Sequence, residues 1–453
     1  MSQELINFCI GIVILSSCMF LAKIIQKYFQ PPAEIARKLV HVFIGTVALF
    51  FPYLFESRVT ALVLSFVMFG VVLTLRLWHL KKQEVGSYLY SVERSARSLG
   101  ELVFPIAIGS TFWMAKYNPI LYFIPILILT YADTVAAIVG TRLKKGNLSA
   151  EREDEKSLGG SLAFAITAFI CVVVILVVYS EMPMARILCL ALIIGVLTAL
   201  VEATSSFGLD NLLIPLLCYA FLFNHLPLSL TYLVFNLLFI GCFAVVVYKY
   251  RHVVDMSKLA IMESVLAIYI TFLIGGIRWG LAPITVLVLY PMFPRRTPEQ
   301  RKLVFNKHVI ESNLVVGIIL LFYATIAEKR AELFMIFYLV FGLHIALNHY
   351  GSMRGYHGAS KKVAYRVGFL KGVFLIIVGA IANNMEFGIG TNLWQMGLCV
   401  IVLIVVLGIA ARYLDKLKEY CRLSLAMAWK QASLVMIGTV VSTVVSLIVY
   451  AIN

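Results

Sequence analysis

Apolar stretches of about twenty residues, each closed by a short polar break, repeat along the whole chain. A helix needs roughly 20 residues to cross the hydrocarbon core of a bilayer. The repeat therefore predicts membrane spans rather than the one-sided stripes of surface helices. Sixteen segments can be marked, at 5–25, 38–55, 59–78, 100–115, 119–141, 158–179, 185–203, 211–224, 227–248, 258–275, 278–293, 309–326, 332–348, 363–384, 393–412 and 430–451. The segment at 211–224 is short, and a re-entrant or tilted course is expected for it. The expected fold is all-α, a polytopic integral membrane protein of about sixteen transmembrane helices.

Composition removes the main alternative. Of 453 residues, 61% are hydrophobic and only 13% charged, with mean hydropathy +0.94, more apolar surface than a soluble core of this length can hide. The net charge of +15 would suit nucleic acid. The bases instead sit in short loops between apolar segments, where they set topology and meet anionic lipid. With no basic domain and no interleaved aromatics, no nucleic-acid partner is expected. The eight cysteines are scattered, seven of them inside apolar segments, without a CxxC pair, and read as small buried hydrophobes. The first segment lacks a basic start and a cleavage site, and is expected to be a retained span.

Loop charge sets an expected orientation. Bases crowd the loops after segments one, three, five, nine, eleven, thirteen and fifteen, as in Lys81/Lys82, Arg142/Lys144/Lys145 and Arg295/Arg296/Arg301/Lys302. The intervening loops are short and nearly free of them. The positive-inside rule then makes the odd-numbered loops cytoplasmic and places both termini outside.

The polar clusters that stand out at the ends of the early segments fall on that cytoplasmic side. Arg37, Lys38 and His41 enter the second; Arg97, Gly100 and Glu101 the fourth. Asp133 lies inside the fifth, about two turns from its end, where an ionisable group is costly and is a functional-site hypothesis by default. Lys156-Ser157-Leu158-Gly159-Gly160-Ser161 opens the sixth, Glu202 closes the seventh, and Asp210-Asn211 opens the eighth. A lysine, a glycine pair and a serine at a helix start suit an anion: a point charge, close backbone approach, unpaired N–H groups and the positive dipole end. Glu202 with Asp210 suits a magnesium ion that also touches phosphates, since such ions use one or two carboxylates. The plainer reading of Asp210-Asn211 is a helix cap. Arg37, Lys38 and His41 share a helix face suited to phosphate or a lipid head group, or serve as a topological anchor. Arg97 pairs with Glu101 at i,i+4 in the simplest reading. Asp133, Ala137 and Gly140 share one face whose small residues permit close helix packing.

The order Arg37-Lys38-x-x-His41, Arg97-x-x-Gly100-Glu101, Asp133 with Ala136-Ala137-x-x-Gly140, Lys156-Ser157-x-x-Gly160-Ser161, Glu202, and Gly208-x-Asp210-Asn211 with Pro215 resembles the phytol kinase/dolichol kinase family. The resemblance covers roughly residues 30–225, and departs from the family pattern at Gly159, where the family usually carries a glutamate. It implies a membrane lipid-alcohol kinase that takes a phosphoryl group from CTP or a related nucleoside triphosphate, with magnesium as cofactor and the active face cytoplasmic. It implies phosphate-binding roles for Arg37, Lys38, His41, Arg97, Lys156, Ser157, Gly160, Ser161 and Asn211, and metal binding by Glu202 and Asp210. Asp133, Lys156 and Glu202 become the expected catalytic residues, with Asp133 as candidate base or, equally, a metal ligand. The alternatives are a CTP-dependent cytidylyltransferase-type enzyme and a proton-coupled transporter. Transporters favour midplane sites and internal repeats, whereas these charges crowd one face.

The chain is expected to divide into a kinase-like domain at 1–250 and a further helical membrane domain at 251–453. The second carries no recognised motif. Its polar features are Glu263, Arg278, His308, Glu311, His344, Asn348 and His349.

Overall fold

The computed structural model describes residues 3–29, 33–82, 99–115, 117–144, 156–205, 208–254, 258–290, 307–355, 358–387, 393–413 and 425–452. These residues form helices and the turns that join them. Helices occupy all sixteen apolar segments. Among the described residues, nine are long and apolar enough to cross a membrane, and five more are apolar but shorter. The physical reason is the bilayer's own demand: buried backbone amides have no water to bond, and a helix satisfies them within the segment. Hydroxyls inside the apolar helices follow the same rule. Thr111 donates to Ala107 O at 2.7 Å, Thr198 to Ile194 O at 2.6 Å and Ser264 to Ala260 O at 2.8 Å, each one turn back.

The chain divides into two compact units, Met1–Phe239 and Ile240–Asn453. The first contains α1 (Gln3–Phe29), α2 (Ala33–Ala48), a single turn α3 (Phe51–Leu54), α4 (Arg58–Lys82), α5 (Gly100–Ala115), α6 (Pro119–Leu127), a π-helical turn (Ile128–Ala132), α7 (Asp133–Lys144), α8 (Leu158–Tyr179), α9 (Met184–Thr204) and α10 (Asp210–His225). The segment expected at 38–55 is thus broken. A turn at Leu49-Phe50 ends α2, and Pro52 sits in the first turn of α3, where its missing N–H costs nothing. The segment expected at 119–141 runs as α6, the π turn and α7 in succession. Its middle is the heart of the unit, with Ile124, Ile126, Ile128 and Leu129 fully buried. α8 packs against α7 and α9, and α10 against α5 and α9. The outward face of α8 is a stripe of Leu162, Ile166, Ile170 and Val174 at i,i+4 spacing, all exposed, which suits contact with lipid tails.

The second unit takes the end of α11 (Leu230–Val254), then α12 (Lys258–Gly275), α13 (Ile277–Leu289), α14 (Lys307–Ile326), α15 (Arg330–Gly355), α16 (Lys361–Phe387), α17 (Leu393–Tyr413) and α18 (Leu425–Ile452). Its axis is α15, whose apolar window is 89% buried against 28% for α8. α16 lies along it at close range because glycines face backbone: a Cβ on Gly368 would stand 2.6 Å from Ala346 O.

Candidate active site

Two polar knots form in the first unit, both built from helix ends or a helix defect. The first joins α2 to the π turn. Lys38 Nζ makes an ion pair with Asp133 Oδ2, and both side chains are buried. His41, one turn further along α2, places Nε2 2.8 Å from Leu129 O and 3.6 Å from Asp133 Oδ2. Its ring lies 4.1 Å from that of Phe104 in α5. Thr46 and Tyr131 continue the seam, with hydroxyls 3.0 Å apart. A charge at this depth survives only with an opposite partner, and Lys38 is that partner.

The second knot gathers around Lys156. Its Nζ lies 2.9 Å from Glu202 Oε1 and 2.9 Å from Asp210 Oδ2, and donates also to the Glu202 backbone carbonyl. Ser161 Oγ donates to Glu202 Oε2 at 3.3 Å. Local sequence sets this up. Ser157 is the N-cap of α8, its hydroxyl accepting from Gly160 N at 3.1 Å. Gly160 lets α7 approach, since a Cβ there would sit 3.0 Å from Ala136 O and 3.4 Å from Gly140 Cα. Gly208, at φ +76°, makes the turn that begins α10 and presents Asp210. Lys156 remains 27% exposed, so this knot is open at its edge while Asp133 is closed in. Burial lowers the Lys156 pKa, but Asp210, Glu202 and Asp133 outweigh it and hold the ammonium above its ordinary value.

The structure places the expected residues unevenly. It brings Lys38, His41 and Asp133 together, and Lys156, Ser157, Gly160, Ser161, Glu202 and Asp210 together. Arg37 lies half-buried on α2. Asn211 is buried and ties two helices: its Nδ2 donates to Gly100 O at 3.0 Å, and its backbone N–H to Asp210 Oδ1 at 3.0 Å. Arg97, and with it the expected pair to Glu101, lies outside the described residues, as does most of the loop from 142 to 155. Lys156, expected on phosphate, and Glu202 with Asp210, expected on metal, converge on one another. No group of three or more His, Cys, Asp or Glu side chains placed to hold a metal occurs among the described residues. Two carboxylates that already close on one cation do fit an ion completing its shell with phosphate and water. Sequence reasoning missed the π turn and Leu129 O, which carry no residue signature.

This arrangement defines a class, a helical membrane protein with a lysine-centred, carboxylate-flanked site at the start of a helix. The chain is 31% identical over 204 residues to "Phytol kinase" of Synechocystis sp., a match covering 45% of this chain and 84% of that protein. The chain belongs to the phytol kinase family. No protein-family model and no solved structure matches it.

Proposed function

We propose that the chain is a membrane lipid-alcohol kinase, moving the terminal phosphoryl group of CTP or a related nucleoside triphosphate onto a lipid hydroxyl at the cytoplasmic face. The observation that carries this reading is the bridge of Lys156 between Glu202 and Asp210 at the N-terminus of α8. Phosphoryl transfer needs little covalent help from protein and much charge neutralisation and alignment. Lys156, the free N–H groups opening α8, Ser157 and Ser161 would cradle the phosphates. Arg37, Lys38, His41, Arg97 and Asn211 are the further phosphate candidates of the sequence, of which Lys38, His41 and Asn211 have inward partners here. Glu202 and Asp210 would hold magnesium, which when bound neutralises the phosphate oxygens and the leaving group. The lipid hydroxyl oxygen bonds to the terminal phosphorus, the bond from phosphorus to the bridging oxygen breaks, and the nucleoside diphosphate leaves. Asp133 is the candidate acceptor for the hydroxyl proton, a role that requires it to exchange its Lys38 partner for the substrate.

Purified protein in detergent, given labelled CTP or ATP with a panel of lipid alcohols, tests the reading. Labelled lipid phosphate is expected with at least one acceptor and with loss of product in Lys156→Ala; no product from any acceptor overturns it. The orientation has its own test. Lys145→Cys and Lys302→Cys should resist impermeant thiol reagents in intact cells, and labelling from outside would reverse the active face.

A further inference from the structure

We infer that His41 is a positioning residue that locks the π turn and thereby aims Asp133, rather than a ligand for phosphate; the catalytic consequence rests on the kinase reading above. In an α-helix the amide of Asp133 would bond the carbonyl four residues back, Leu129 O. Here it bonds Ile128 O, five back. Leu129 O instead accepts from His41 Nε2 at 2.8 Å. A carbonyl can only accept, so the imidazole carries its proton on Nε2. His41 thus stands in for an amide that the π turn took away.

That substitution has a geometric effect. A π turn inserts one extra residue, and at 3.6 residues per turn each residue rotates the helix face by roughly 100°. Everything from Asp133 onward is turned by that amount relative to an unbroken helix continuing α6. With the turn in place, Asp133 meets Lys38 on α2. Without it, the carboxylate would swing off that face.

The rest of the α2 face is shaped for the same task. Lys38, His41 and Gly45 follow at helical spacing. Gly45 lies against Thr130 within the turn, where a Cβ would come 2.1 Å from Thr130 Oγ1. One helix therefore supplies a cation for the carboxylate, a donor for the displaced carbonyl and a gap for the bulge.

Two measurements decide the matter, and the first does not depend on activity. In full-length protein carrying Lys38→Cys and Asp133→Cys, a membrane-permeant bifunctional thiol reagent with about the reach of the ion pair it replaces should form the cross-link between these positions, read by mass spectrometry. Adding His41→Leu should abolish it, and His41→Gln, whose amide can still donate to Leu129 O, should restore it. A cross-link that persists in the His41→Leu background overturns the inference, whatever the protein's activity. The second uses the native sequence otherwise. His41→Leu should lower kcat per folded molecule by about ten-fold or more with nucleotide KM within about two-fold, and His41→Gln should recover most of it. A rise in nucleotide KM shared by both variants would make His41 a phosphate ligand instead. Loss confined to the folded fraction, with kcat per folded molecule unchanged, would make it structural only. Should the parent protein phosphorylate no lipid alcohol, the kinase reading fails while the cross-link still decides the role of His41.

Discussion

Each of the two units buries a lysine beside a histidine, and the partners differ. In the first, Lys38 faces the carboxylate of Asp133, and Lys156 bridges Glu202 and Asp210 at the positive end of α8. In the second, Lys371 donates to Leu289 O at 2.8 Å and lies 2.6 Å from His349 Nε2. His349 also lies 3.2 Å from Tyr290 O. Leu289 and Tyr290 end α13, so this lysine and histidine meet the negative end of a helix. The first arrangement gathers opposite charges that can exchange partners with an incoming anion or cation. The second closes a helix end. A buried lysine marks chemistry only when its surroundings can change partners.

The largest expected effect breaks the comparison if it fails. If Lys156 meets nucleotide phosphate, as proposed, Lys156→Ala removes a charge-assisted contact worth about 1.5–3 kcal/mol, hence about ten-fold or more in turnover or nucleotide KM. Lys156→Arg should rescue only in part, because a planar fork does not replace a point charge. His344→Ala and His349→Ala should stay within a few-fold of parental transfer. An equal loss in either would move the chemistry into the second unit.

Next comes Lys371→Met, which should act on stability rather than on turnover. It strips a donor from the carbonyl of Leu289, a buried residue, at a cost on the order of 1–3 kcal/mol. Tm should fall by several degrees, at about 2–4 °C per kcal/mol for a unit of this size, while transfer per folded molecule holds. A parental Tm together with lost activity would give Lys371 a functional part and erase the contrast.

The sequence was informative about the first unit in proportion to how local each feature is. The glycine contact of α7 with α8 and the polar starts of α8 and α10 follow from neighbouring residues, and each could be marked in advance. The pairing of Lys38 with Asp133 spans 95 positions, and it depends on a one-residue insertion in helical register that Ile128–Ala132 does not announce. Asn211 read as a phosphate ligand because it adjoins Asp210; its bond to Gly100 O requires knowing that α10 packs on α5. In the second unit His349 stood out, but Lys371 did not. A lysine at the ninth position of the apolar segment 363–384 gives no hint that a helix end lies beside it. His344 is 1% exposed, with neither ring nitrogen hydrogen-bonded among the described residues.

A smaller effect sharpens the role of the carboxylates. Asp210→Asn keeps the size of the side chain and removes the charge. If Asp210 holds magnesium, half-activation should move to higher magnesium by a few-fold, with the nucleotide KM at saturating magnesium little changed. A change in nucleotide KM alone would mean that Asp210 serves only to place Lys156.

The smallest effect is a slope. Burial works against the Lys156 ammonium, but Asp210, Glu202 and Asp133 prevail and raise its pKa on folding. A lysine raised in this way adds stability that is fully present below its unfolded value, about 10.4, and that is lost only as pH climbs through the higher folded value. The stability difference between the parent and Lys156→Met should therefore stay level from about pH 7 to about pH 10 and shrink only above that. Thermal unfolding of both proteins across this range measures it. A difference that decays between pH 7 and 9 would require Lys156 to lose its proton early, which means that the carboxylates do not hold it. Lys156 would then lose the charge on which phosphate binding depends at neutral pH, and the distinction between a charge-exchanging first unit and a helix-closing second one would lose its main support.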